Sequence, residues 1–157
     1  RRPPRSTRKE SSAASDVYKR QLLEEVVNLS SHPIFSEIGL NRYTDNKPII
    51  EALKSLYQSN PKFYAVTLGS KGVYWIDNGE IFHCDSPLVE VKETNGAGDV
   101  FHGAFAHFIK TKPIQESIEL ATATASLKCT MIGGINNLPN SKGVAEFSNQ
   151  LQPSRKI

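Results

Sequence analysis

The sequence predicts an α/β layered fold, in which a largely parallel sheet is flanked by helices and carries a small antiparallel β-hairpin. From residue 34 onward, short apolar runs that suit buried strands alternate with longer stretches of helical periodicity. Two β-like runs, 73–76 and 80–84, enclose Asp77-Asn78-Gly79, which is a strong hairpin-turn signal. Strands that alternate with helices along a chain are typical of layered domains with parallel strands.

The other elements follow from local signals. Helix 47–58 places its apolar residues on one face, and Asp45 and Asn46 are its candidate caps. Lys112-Pro113 separates two helices, 97–109 and 114–130, and Gly133-Gly134 ends the second one. The remaining predicted elements are the end of a helix at 22–29, strands at 33–36, 63–68 and 88–91, a turn at 69–72, and helices at 37–43 and 141–151.

Composition excludes several classes of protein. The chain has 157 residues, of which 38% are hydrophobic and 22% charged, as expected for one globular domain. It contains no apolar run long enough to span a membrane. The formal charge of +3 arises from residues 1–21, and the rest is slightly acidic, so a nucleic-acid partner is not expected. Cys84 and Cys129 form no disulfide or metal pattern, which indicates a reducing, cytoplasmic setting.

Residues 1–21 look foreign to the domain. They are polar, rich in Arg and Ser, and lack the apolar segment of a signal peptide. Residues 11–21 also read as the in-frame translation of an adapter used in transposase-based sequencing libraries. We therefore expect 1–21 to be a disordered, non-native tail and the native sequence to begin near Leu22, already truncated. The alternative is a natural disordered basic tail.

A glycine-rich stretch at the junction of the β-rich and helical regions carries the main functional signal. Gly96-Ala97-Gly98 can turn successive backbone N–H groups toward one anion, at the positive end of the helix that follows. Asp99 stands in the first turn of that helix, where a carboxylate can accept the proton of an alcohol that attacks a phosphoryl group. The structural alternative is a tight turn followed by a favourable helix-end charge.

The order of two motifs resembles a known family. Thr67-Leu68-Gly69-Ser70-Lys71-Gly72 precedes the stretch 93–103 at the interval found in the C-terminal half of the ribokinase-like (PfkB) carbohydrate kinases. The resemblance covers nearly all of residues 34–139, which would make residues 22–157 the nucleotide-binding, C-terminal part of such a kinase. Within the family, residues 32–40, 99–104 and 127–130 with Gly133-Gly134 look most similar to the sulfofructose kinase and ketohexokinase-like branch.

The resemblance implies phosphorylation of a sugar hydroxyl by ATP, with Mg²⁺ and possible use of K⁺. It also implies homodimerisation through a lid that belongs to the family's N-terminal half. Residue by residue, it implies a catalytic base at Asp99; an anion hole at Gly96, Ala97 and Gly98; ATP contacts at Thr67, Gly69, Gly72 and Thr122; and a monovalent-cation site at Glu93, Asn95, Gly133 and Asn137.

The chain also departs from the family pattern. Glu93 replaces the usual Asp, and Ser36-Glu37-Ile38-Gly39 stands where many relatives have Asn-x-x-Glu. The sugar-binding strands, the lid and the Gly-Gly motif of the N-terminal half are missing, so we expect this chain alone to be inactive. A nucleoside or vitamin kinase of the same fold, or a non-catalytic nucleotide-binding module, remains an alternative.

Overall fold

The computed structural model describes residues 21–157. The chain divides into two units, Arg1–Pro33 and Ile34–Ile157. In the first unit, residues 21–29 form helix α1, which ends with a hydrogen bond from Ser30 N to Val26 O of 3.0 Å. The predicted tail, residues 1–21, lies outside the described residues except for Gln21, which belongs to α1.

The second unit contains a five-stranded sheet in which sequence neighbours are also spatial neighbours. The strands are β1 (Ile34–Ser36), β2 (Tyr64–Thr67), β3 (Val73–Asp77), β4 (Glu80–Cys84) and β5 (Arg155–Lys156). The pair β1–β2 is parallel, and β2–β3, β3–β4 and β4–β5 are antiparallel. The α/β architecture is therefore confirmed, but the sheet is mixed rather than mostly parallel.

Short connections explain the strand directions. Only residues 68–72 join β2 to β3, with a 3₁₀ turn at Gly69–Lys71, and a parallel crossover needs a dozen residues or more. Asn78 (φ 49°) and Gly79 (φ 81°) form the left-handed turn that the predicted hairpin requires, so the hairpin is confirmed. It is part of the main sheet rather than an insert.

The predicted strand 88–91 is wrong, since residues 85–96 contain no strand. Leu88 is fully exposed, and Leu88, Val89 and Val91 line a cavity. Their apolar pattern therefore reflects a cavity wall rather than a half-buried strand. The predicted caps at Asp45 and Asn46 are wrong too, because both residues lie in left-handed conformation and the helix begins after Pro48.

Five helices of this unit flank the sheet. They are α2 (Glu37–Tyr43), α3 (Ile49–Ser59), α4 (Ala97–Phe108), α5 (Ile114–Cys129) and α6 (Ser141–Ser148). Side-chain caps begin two of them: Ser36 Oγ accepts from Gly39 N at 3.1 Å, and Asn140 Oδ1 accepts from Gly143 N at 2.8 Å. Both caps satisfy N–H groups that the first helical turn leaves unpaired.

The core fixes α4 against the sheet. Phe101 and Phe105 of α4 are buried in one cluster with Trp75 of β3 and with Ile118 of α5. The ring of Phe105 stacks on that of Phe63 with centroids 5.7 Å apart. Burying side chains of this size contributes about 1.5–3 kcal/mol each. Packing on two sides thus sets the position of the first turn of α4.

Candidate functional site

The start of α4 is built to face an anion. Gly96 is the cap residue with φ 76°, a left-handed conformation, and no side chain caps the helix. Ala97 N donates to Thr94 O at 3.1 Å, and the first intrahelical bond runs from Val100 N to Gly96 O at 2.9 Å. The intervening N–H groups of Gly98 and Asp99 belong to the first turn, where no preceding turn supplies an acceptor. They lie at the positive end of the helix dipole.

One cavity of about 410 Å³ borders this turn. It brings together all four residues predicted to contact ATP and two of the three predicted for the anion hole: Thr67, Gly69, Gly72, Thr122, Ala97 and Gly98. These residues come from the end of β2, the turn before β3, the start of α4 and the middle of α5. A volume of this order suits a small-molecule ligand.

The two threonines of this cavity have hydroxyls that are already engaged. Thr67 Oγ1 donates to Phe35 O at 3.4 Å, and Thr122 Oγ1 donates to Ile118 O at 2.8 Å. Thr122 is also buried. Neither hydroxyl proton is therefore free for a ligand while these bonds persist.

Sequence reasoning missed several residues of the same cavity. Ser86 and Ser126 share a hydrogen bond of 3.1 Å, and Cys129 lies at the end of α5. Leu88, Val89 and Val91 add an apolar wall. For residues 86–91, the available signal was their place in the chain. They link β4 to the glycine-rich turn, and both the turn and this segment line the cavity. Burial raises the pKa of the Cys129 thiol, with a smaller opposing effect from the Lys128 charge.

Close packing fixes the turn at Gly69–Gly72. Leu68 N donates to Gly72 O at 2.8 Å, and Gly72 N donates to Gly69 O at 3.0 Å. Gly72 has φ 84°, and a Cβ there would lie 2.0 Å from Cys84 O. From β4, His83 Nε2–H donates to Lys71 O at 2.9 Å. The backbone thus approaches both β4 and the cavity closely, which only glycine allows at residue 72.

Asp99 lies in a different place from the predicted ATP residues. It lines a second cavity, of about 400 Å³, which shares no lining residue with the first. Gly96, Val100 and Thr124 belong to the same wall. The start of α4 therefore borders two cavities, with Asp99 lining one and Ala97 and Gly98 lining the other. A proton acceptor and a phosphate-binding turn can thus lie within one helical turn of each other.

Glu93, three residues before Gly96, is held by donors. Its Oε2 accepts from Gly133 N at 2.9 Å and from Gly134 N at 3.3 Å, and Lys128 Nζ lies 3.7 Å away. Hydrogen bonds from Gly133 and Gly134, together with the Lys128 charge, lower the pKa of the Glu93 carboxyl.

The other two residues predicted for a cation site lie nearby without joining these contacts. Asn137 Nδ2 donates to Ile132 O at 3.0 Å, and Asn95 lines the second cavity beside Lys128. Lys128 was not predicted. A lysine among the Ala, Ser, Thr and Leu residues of α5 was the only signal in the sequence.

The described part of the chain contains neither a cluster of metal-ligating side chains nor a membrane-spanning helix. Within residues 21–157, no three His, Cys, Asp or Glu side chains cluster as a metal site. None of the helices in that range is long and apolar enough to cross a bilayer.

Comparisons with known proteins match this geometry. A ribokinase of Dictyostelium discoideum is 38% identical over 84 residues, which are 50% of this chain and 26% of that protein. The ribokinase structure from Thermotoga maritima has a TM-score of 0.71 at 26% identity, and the match covers 76% of this chain and 42% of the other. The Arabidopsis thaliana ribokinase structure, complexed with ribose and ATP, has a TM-score of 0.65 at 31% identity, with 74% and 40% covered.

These matches confirm the predicted ribokinase-like α/β fold, although its sheet is mixed and not mostly parallel as predicted. The chain spans less than half the length of each of these relatives. A family model described as pfkB family carbohydrate kinase matches residues 14–141, most of the chain, and the chain therefore belongs to the pfkB family of carbohydrate kinases.

Proposed function

We propose that the protein to which this chain belongs transfers a phosphoryl group from ATP to a hydroxyl group of a sugar. The observation that carries the proposal is the pair of cavities that border the start of α4. One holds the residues expected to bind ATP, and the other holds Asp99. The Arabidopsis relative, whose structure contains ribose and ATP, supports this assignment of donor and acceptor.

The nucleotide would occupy the cavity of about 410 Å³. Its base and ribose would pack on the apolar wall of Leu88, Val89 and Val91, and its phosphates would face the N–H groups of Gly98 and Asp99. These amides would stabilise the negative charge that spreads over the phosphoryl oxygens during transfer. Gly69 and Gly72 would let the backbone approach the nucleotide closely.

The Mg²⁺ of this reaction would be carried mainly by the phosphates. This fits the described residues, which include no cluster of three metal-ligating side chains, because Mg²⁺ often uses one or two carboxylates together with substrate phosphates. Bound there, Mg²⁺ would neutralise charge on the phosphoryl group.

Asp99 would act as the general base. Its carboxylate, in the second cavity, would accept the proton of the sugar hydroxyl as the oxygen attacks phosphorus, a contribution of about 10²–10⁴-fold in rate. Its place in the first turn of α4 keeps this carboxylate one residue from the amide of Gly98. Base and anion hole would thus move as one rigid unit.

We further propose which part of the kinase this chain represents and what the intact protein does. Residues 22–157 would be the C-terminal part of the kinase, and the chain covers 26% of the Dictyostelium ribokinase. Residues 1–21 would be a tail foreign to the kinase, because residues 11–21 read as a translated sequencing adapter. Alone it would bind ATP but transfer nothing. The intact protein would be cytoplasmic, dimerise through its other half, and act on a sugar of the sulfofructose kinase and ketohexokinase-like branch.

The test is Asp99→Asn in the full-length protein with a panel of sugars, nucleosides and vitamins. Turnover should fall by about 10²-fold or more, whereas the Kd for ATP should stay within about threefold. Asp77→Asn, on the hairpin, is the matched control and should leave both unchanged. Retention of more than a few per cent of activity would refute the role of Asp99. ATP binding without transfer to any substrate would favour a non-catalytic nucleotide-binding module.

A further inference from the structure

Lys128 is a buried charge that the proposed reaction does not use. It lies in the last turn of α5 with 1% of its side chain exposed. Within residues 21–157, Nζ has no hydrogen-bond partner. Removing an ammonium from water is costly unless an opposite charge offsets the loss. The carboxylate of Glu93, 3.7 Å away, is placed to do so at ion-pair rather than hydrogen-bond distance.

Glu93 links three segments of the site. Its side chain accepts from the amides of Gly133 and Gly134, in the loop after α5. Its backbone N, like that of Lys92, donates to Cys129 O, at 3.2 and 2.8 Å respectively. Main chain and side chain therefore both tie residue 93 to the end of α5, three residues before the cap of α4.

A monovalent metal ion does not fit this arrangement. Metal cations of this kind are bound by oxygen atoms, as in filters made of carbonyl groups. Here Gly133 presents its N–H to Glu93, and the side-chain N–H of Asn137 is directed to Ile132 O. A metal ion beside the carboxylate would also be repelled by the ammonium of Lys128. The carboxylate predicted to bind a cation, that of Glu93, is thus already matched by two amides and by the Lys128 ammonium.

We propose that the ammonium of Lys128 replaces a monovalent metal ion at Glu93 and thereby holds the turn at residues 93–98 against α5. Lys128 is then a positioning residue for the anion-binding turn. It follows that the stability of the fold should not depend on K⁺. It concerns the order of the turn and is tested without measuring phosphorylation, so it can fail while the proposed kinase activity stands, and the reverse is also possible.

The first test uses the unmodified chain. Its melting temperature and the amide NMR signals of Gly133 and Gly134 are compared in KCl and in choline chloride at equal ionic strength, which keeps general screening constant. We expect the same melting temperature and the same two signals in both salts. A stabilisation specific to KCl, or a saturable shift of either signal by K⁺, would overturn the proposal.

The second test removes the charge. Lys128→Met should lower the melting temperature by about 5–10 °C, since it leaves the carboxylate without its ion pair. The loss should be the same in KCl and in choline chloride, because Gly133 and Asn137 direct N–H groups rather than oxygen atoms to their partners here. Lys128→Arg should retain most of the stability. The matched control is Lys142→Met, because Lys142 is exposed and only pairs with Glu146 across 3.9 Å. The control should melt within about 1 °C of the unmodified chain.

Two results of the second test would contradict the proposal: Lys128→Met that melts like the unmodified chain in choline chloride, or Lys128→Met that regains its stability specifically in KCl. If Lys128→Met does not fold, Glu93→Gln replaces it. Gln keeps an oxygen for the Gly133 and Gly134 amides but no charge. The amide NMR signals of Gly133 and Gly134 in Glu93→Gln should then differ from those of the unmodified chain. Unchanged signals would refute the proposed role of the ion pair.

Discussion

Gly72 offers the sharpest test of how the nucleotide cavity is held. In Gly72→Ala, the new Cβ would lie 2.0 Å from Cys84 O and 2.9 Å from Ser86 N. Both are backbone atoms, and Cys84 is also part of the sheet, so they cannot move away as a flexible side chain would. The conformation itself, φ 84° and ψ −144°, is one that essentially only glycine adopts.

These two effects give the expected magnitude. The backbone conformation alone costs about 1–3 kcal/mol for alanine. Displacement of the end of β4 adds strain typical of overpacking, about 1–3 kcal/mol. We therefore expect Gly72→Ala to lower the free energy of unfolding by about 2–6 kcal/mol, a large part of the 5–15 kcal/mol usual for a domain.

Gly69→Ala is the matched control on the same turn. Gly69 also has a positive φ, 58°, but a Cβ there would meet nothing within 4 Å. Only the left-handed conformation then counts, at about 1–2 kcal/mol. Urea unfolding, followed by circular dichroism, measures both variants, and with a slope of about 2 kcal/mol/M the midpoint of Gly72→Ala should fall by about 2 M. Equal midpoints for the two variants would refute the packing argument.

Three further predictions concern other contacts. ATP should slow alkylation of Cys129, because this residue lines the proposed ATP cavity. ATP should not change the alkylation of Cys84, which is buried and whose thiol pKa is raised to about 11 by burial. Equal protection of both cysteines would contradict the cavity assignment. The hydrogen bond from Arg155 lowers the pKa of Asp85, so this stabilisation is present at neutral pH and lost as pH falls below about 4. Arg155→Met should accordingly destabilise the chain less at pH 3 than at pH 7 in urea unfolding, and an equal effect at both pH values would contradict the role of this pair. Phe105→Ala should cost about 3–5 kcal/mol in the same assay, because its ring is buried in the core.

Local sequence signals were enough to predict the elements that position the candidate site. Asn78-Gly79 specifies its turn through two left-handed residues, which few other pairs tolerate. The helix that starts at Ala97 follows from a glycine before it and apolar periodicity after it. Three residues predicted for ATP stand at the end of β2 or in the turn after it, and Thr122 from the middle of α5 lines the same cavity.

Other features depend on partners that one sequence does not reveal. Whether Leu88 and Val91 pair in a sheet or line a cavity is decided by what lies beside them, and both outcomes suit a short apolar run. Strand direction in the sheet likewise depended on how tightly residues 68–72 turn. Lys128 has the pattern of a surface lysine on a helix, and no local feature of the sequence shows that it is buried beside Glu93.

The two-residue strand β5 has a consequence for self-association. It covers the outer edge of β4, where Ile157 N also donates to Ile81 O at 2.8 Å. Both of its residues are charged and paired, Arg155 with Asp85 and Lys156 with Glu80. A strand from another molecule that added at this edge would have to break these pairs and bury charged groups, which disfavours edge-to-edge aggregation. Neutralising Arg155 and Lys156 together would remove that protection and leave a sheet edge open to polymerisation.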